Sequence, residues 1–175
     1  MKKTVLKYGP YAAVTTLILF TSALIFGKNL DFSTQEVLGY TSILASLIFV
    51  FFGIKHYRDR ENNGTISFGK ALLIGILISL FAALAFGIID AIYVKYINPE
   101  FTEQYLAYTL ENMKKTMSPE EFEAKKAAVK EQMSVYANPL ITGFVMFTTV
   151  LLIGFIVSLL SALILKKNQL PYVKE

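Results

Sequence analysis

"FGKALLIGILISLFAALAFGIIDAIYVKYI", residues 68–97, decides how the rest of the chain is read. From Ala71 to Ile89 no charge interrupts it. Those residues cover ~28 Å as a helix at ~1.5 Å per residue, close to the ~30 Å of a bilayer's hydrocarbon. A membrane-spanning helix follows. Asp90, the first charge after the run, then falls at the edge of the hydrocarbon, which spares it the full cost of central burial. Lys95 is five residues further on, about 140° around the helix, so it cannot be the partner of Asp90.

Small residues recur every four positions along this span, at Ala71, Gly75, Ser79, Ala83 and Gly87. Such a ladder lets a second helix approach closely. Gly154, Ser158 and Ala162, and Ser42 with Ser46, form shorter ladders elsewhere. Packing among these three spans is the expected use, with a homodimer seam as the alternative. Asp90 lies within about 20° of Ser79 and Ala83, so it faces protein rather than lipid. Lys28 and Asn138, at the same depth, are its expected partners in an interhelical clasp. Together the three form a candidate intramembrane polar site.

Three more apolar runs reach spanning length: residues 8–27, 37–54 and 139–165. The composition agrees, with 54% hydrophobic residues and a mean hydropathy of +0.51. The first run follows Lys2, Lys3 and Lys7 as a secretory signal would. It lacks a small-x-small cleavage site and is read as a retained helix. Ten of the 17 basic residues lie at the N-terminus, in the second connection and in the tail. The segment from Asn98 to Asn138 instead holds five lysines against seven glutamates. Both termini are therefore expected on the cytoplasmic side. The net charge of +4 follows from this topology. No basic stripe interleaved with aromatic residues suggests nucleic acid as a partner.

Only residues 98–138 could form structure in water. Phe101, Tyr105, Thr109, Met113 and Met117 recur every four positions, with Leu106 and Leu110 alongside, which predicts an amphipathic helix. Ser118, Pro119 and Glu121 have the spacing of a capping box that starts a second helix, whose apolar face is Phe122, Val129, Met133 and Tyr136. The two helices form an αα-hairpin. Mutual burial of the two faces is expected, with the outer leaflet or a protein partner as alternatives.

The fold class expected is therefore all-α: an integral membrane four-helix bundle, one membrane domain over residues 1–175, with an extracytoplasmic αα-hairpin at 98–138 between the third and fourth spans. The order and spacing of "IKHYRDRENNGTISFGKALLIG" after the second span, and of "IYVKYINPEF" leading into a charged helical loop, resemble the bacterial family catalogued as domain of unknown function 4199. That resemblance implies a small protein of the inner membrane, and it supplies no catalytic residues.

Candidates for chemistry are few. His56 is the sole histidine and there is no cysteine, so neither a multi-histidine nor a thiolate metal site is expected, and no cofactor. With Lys55, Arg58 and Arg60, His56 reads instead as a lipid headgroup contact. "NNGTISFG" lacks the Lys-Ser/Thr ending of a phosphate loop; Ser67 reads as the cap of the third span. No G-x-S-x-G elbow occurs. The function expected is that of a non-enzymatic membrane protein acting through packing or a partner. The alternative is a small dimeric transporter or proton-coupled carrier using Asp90, although no pair of Gly/Pro-interrupted half-helices supports it.

Overall fold

The computed structural model of the chain describes residues 1–27 and 29–167. Lys28, Tyr172 and Lys174 lie outside them. The architecture is all-helical. Helix α1 is Lys2–Gly27, α2 Phe32–Ser46, α3 Ile48–His56, α4 Phe68–Ile92, α5 Phe101–Thr116, α6 Pro119–Val135 and α7 Pro139–Leu165. One π-helical turn, Tyr57–Glu61, extends α3, and another, Tyr93–Ile97, extends α4. Four segments are long and apolar enough to cross a membrane: Lys2–Gly27, Phe32–Glu61, Phe68–Ile97 and Pro139–Leu165.

Two features depart from the expected spans. Helix α1 starts at Lys2 rather than near residue 8 and carries Pro10 inside it, because hydropathy marks the apolar run whereas the helix continues into the polar flank. The second span breaks at Leu47, between α2 and α3. Leu47 has φ −75° and ψ −4°; its N–H donates to the Ile43 carbonyl. The Ser46 hydroxyl donates to that same carbonyl at 2.7 Å. A serine bonding back to the preceding turn bends a helix without glycine or proline, so a search for those residues passes over it.

Caps fix the helix starts. Asp31 accepts from the Thr34 amide at 2.9 Å and opens α2. Ser118 and Glu121 form the reciprocal capping box of α6, with Pro119 at the first helical position. Ser67 precedes α4 with extended backbone, but its side chain makes no capping hydrogen bond. Ser67 therefore stands at the N-cap position as expected, with its side chain left exposed. The turn before it is set by Asn63 at φ 50° and Gly64 at φ 75°, left-handed values that Asn and Gly tolerate. Ile66 and Lys167 then exchange both backbone hydrogen bonds at 2.9 Å, tying the second connection to the end of α7.

Helix α4 is central, packing on α7 along its length and on α1 beside it. Helix α3 touches α1, α4 and α7, whereas α2 packs chiefly on α1. Leu47, Val50, Ile54, Ile74, Ile78 and Val150 fill the core. Ile18, Phe26, Leu152, Ile156 and Ile164 point outward and exposed, as lipid-facing side chains do in a bilayer.

Candidate functional site

The ladder on α4 meets α7. A Cβ added at Gly75 would lie 2.6 Å from Ser158 Oγ, and one at Gly154 would lie 2.5 Å from Ser79 Cβ. Further out, a Cβ at Gly87 would be 2.6 Å from the Gly143 carbonyl oxygen, and one at Gly143 would be 2.5 Å from that of Gly87. Two backbones approach there with no side chain between them. Ser79 and Ser158 bond back to Gly75 O at 2.9 Å and Gly154 O at 2.6 Å, and their hydroxyls lie 3.4 Å apart. Ala71 and Ala83 are fully buried on the same stripe. The structure thus places all five ladder residues at the centre of a single chain. Gly143 was not on the expected ladder; a glycine eleven positions, or three helical turns, before Gly154 is the signal that would have found it.

Asp90 ends this stripe. Only 7% of it is exposed, and its Oδ2 has no hydrogen-bond partner among the described residues. One turn inward, Phe86 packs on Phe20 with centroids 4.7 Å apart; Tyr93, one turn outward, faces Phe20 at 6.4 Å. Asn138 does not join Asp90. Its Oδ1 accepts from the Leu140 amide at 3.0 Å, because it caps α7, and it stays exposed. That half of the expected clasp is corrected; the other half, Lys28, lies outside the described residues.

From Tyr93 a run of rings leaves the bundle. Tyr93 faces Phe101 at 5.6 Å, and Phe32, at the start of α2, contacts Phe101, Tyr105 and Tyr108 at 6.0, 5.7 and 5.1 Å. The Tyr105 hydroxyl donates to Glu36 Oε1 at 2.5 Å. That bond, with partial burial, pushes the Tyr105 pKa up to about 12, since an ionised phenol beside a carboxylate is disfavoured. These contacts fix α5 on the end of α2. Periodicity named Phe101 and Tyr105 but not their partners, because Phe32 and Glu36 lie more than sixty residues earlier. Helices α5 and α6 bury Met113 and Phe122 between them, and Lys114 and Lys126 lie over the Phe122 ring at 5.4 and 5.3 Å. Of the large apolar side chains of these two helices, only Val135 is largely exposed, at 49%. Mutual packing therefore covers Met113 and Phe122, whereas Phe101 and Tyr105 at the start of α5 are covered by Phe32 and Tyr93.

At the opposite end, Arg58 is held by Asp59 at 2.6 Å and donates to the Leu165 carbonyl at 3.4 Å. It ties the second connection to the end of α7. His56 packs at a tilt against Tyr8, ring centroids 5.4 Å apart, with Glu61 3.9 Å from its Nε2. Lys55 and Arg60 are exposed. Among the described residues, no three His, Cys, Asp or Glu side chains gather as a metal site would require.

An all-helical chain with four membrane-length apolar helices and a buried small-residue seam defines a multi-pass membrane protein. A family model described as "Protein of unknown function (DUF4199)" matches residues 7–167, and the chain belongs to that family. No curated protein and no solved structure matches it.

Proposed function

We propose that this is a non-enzymatic protein of the inner membrane that acts by presenting α5 and α6, on the extracytoplasmic side, to a membrane-protein partner. Both termini are on the cytoplasmic side in this reading. What supports it most is the chain of rings from Phe20 to Tyr108, closed by the Tyr105–Glu36 hydrogen bond, which holds the helix pair in one pose on the bundle. Its outward surface is charged rather than apolar, which suits a polar protein surface better than a lipid leaflet. Crosslinking in native membranes and pull-down in mild detergent test the proposal. A partner captured by the full chain should be lost when residues 102–134 are replaced by a Gly/Ser linker. If both chains capture the same partners, or neither captures any, the proposal fails. Capture of a second copy alone makes the protein a homodimer.

That Asp90 Oδ2 has no partner among the described residues favours a second reading, a proton-coupled carrier. Asp90→Asn separates the two. A structural carboxylate gives a modest loss of stability and unchanged membrane permeability. A coupling site gives unchanged melting in detergent and loss of pH-gradient-driven flux in proteoliposomes.

A further inference from the structure

Among the described residues, the basic end of the bundle holds more cations than carboxylates pair with, Lys7 lying instead over the Tyr8 ring at 5.5 Å. Its nearest acids are engaged: Asp59 with Arg58 at 2.6 Å, and Glu61 with the amino group of Met1 at 3.0 Å. Among the described residues, Lys3, Lys7 and Lys55 have no carboxylate within 4.0 Å. Helices α1 and α3 meet closely there, since a Cβ added at Gly53 would lie 3.3 Å from Tyr8 Cβ. Tyr11 packs beside Phe49 at 5.9 Å and is still 50% exposed; Phe52 is 44% exposed.

Helical period sorts these side chains. The faces of α1 and α3 turned to the core carry Val5, Gly9 and Ala12, and Val50, Ile54 and Tyr57, all buried. Lys7 and Tyr11 lie one turn apart on the outer edge of α1; Phe52 and Lys55 lie nearly one turn apart on α3. The two helices run antiparallel, since Tyr8 meets His56 and Tyr11 meets Phe49, so these edges border the same open side of the seam. Helical register thus sets Lys7 and Lys55 at the polar end of that side, with Tyr11 and Phe52 about one turn nearer the hydrocarbon.

The geometry points to a binding site for an anionic phospholipid on this α1–α3 edge, with the phosphate held by Lys7 and Lys55 and an acyl chain against Tyr11 and Phe52. Charge complementarity selects the headgroup, because lysines that meet no carboxylate among the described residues, set beside a membrane, favour anionic lipid. Continuity of ammonium with ring selects lipid over free phosphate, since a soluble anion leaves the aromatic wall uncovered. The site does not depend on the proposed function of α5 and α6.

Native mass spectrometry of the detergent-solubilised full chain tests it, with dioleoyl phosphatidylglycerol and dioleoyl phosphatidylcholine as probes. Phosphatidylglycerol should bind preferentially. Lys7→Gln with Lys55→Gln should weaken it about thirtyfold, the electrostatic worth of two lysines at an anionic surface. The charge-matched control Lys125→Gln with Lys130→Gln on α6 should bind like the wild type. Tyr11→Ala with Phe52→Ala should weaken the lipid, and glycerol 1-phosphate should not displace it. Equal binding of the two lipids, an unaffected lysine variant, an unaffected aromatic variant or displacement by glycerol 1-phosphate would each overturn the assignment.

Discussion

Gly87 offers a quantitative test of the α4–α7 seam. In Gly87→Ala the new methyl would sit 2.6 Å from the Gly143 carbonyl oxygen and 2.9 Å from Phe147 Cβ. Both atoms are fixed to the backbone of α7, so no rotamer change relieves the clash and the helices must separate. Overpacking of this kind costs about 1–3 kcal/mol, and the absence of a yielding neighbour puts this site at the upper end. Separation also weakens the Cα–H···O contacts that such a close glycine crossing makes, worth about 0.5–1 kcal/mol each. Against this, alanine gains about 1 kcal/mol over glycine in a helix. The net expectation is a loss of about 3 kcal/mol. Gly39, in α2, has nothing within 4 Å of an added Cβ, so Gly39→Ala keeps the propensity gain alone. Gly53→Ala is intermediate, because its nearest neighbour is Ile78 Cδ1, the tip of a flexible side chain. Reversible unfolding in mixed micelles should order the proteins Gly39→Ala, wild type, Gly53→Ala, Gly87→Ala from most to least stable. Gly87→Ala with Gly143→Ala should cost less than the sum of the singles, because one contact is lost twice. If Gly87→Ala were as stable as Gly39→Ala, the close backbone approach would be refuted.

Single cysteines report the topology, since the chain has none of its own: in intact cells Cys at Thr116 should react with an impermeant maleimide and Cys at Asn62 should not, and the reverse pattern inverts the orientation. In a spectrophotometric titration one tyrosine should ionise last, near pH 12, and drop toward the others in Glu36→Gln. Because its folded pKa is raised, the stability that Tyr105 contributes is complete below about pH 10 and lost as the pH rises toward 12; an unchanged titration in the variant removes that hydrogen bond from the account. Ser118→Ala should cost about 1 kcal/mol at the start of α6, read as faster proteolysis between residues 118 and 125 with the spans intact. Hydrogen bonds from Ser118 hold the Glu121 carboxyl below its usual range, so this cap should weaken as the pH falls below about 4. Cleavage that does not respond to the substitution would refute the cap.

How much the sequence disclosed follows from the range of the interaction involved. Local chemistry read well: the Ser118–Glu121 cap depends on residues three apart, and an apolar run that must span ~30 Å sets its own length. The ladder on α4 was visible because its period is that of the helix, and the facing Gly154 and Ser158 carry the same period. Contacts between distant segments were not legible. Nothing near Tyr105 names Glu36, and nothing near Asp90 says that Asn138 is committed to capping α7. The bend at Leu47 escaped for a different reason, since it depends on one serine rotamer rather than on a residue that forbids helix.

That bend gives the second span a lever. Helix α2, Phe32–Ser46, has 15 residues and is therefore about 22 Å long. With Leu47 as fulcrum, a swing of only about 10° carries Phe32 roughly 4 Å, about the separation of neighbouring strands in a sheet. Phe32 contacts Tyr105 and Tyr108, so a shift of Phe32 would be passed to α5, while α3 is packed among α1, α4 and α7. A tilt of α2 about Leu47 would thereby be read out as a larger displacement of α5.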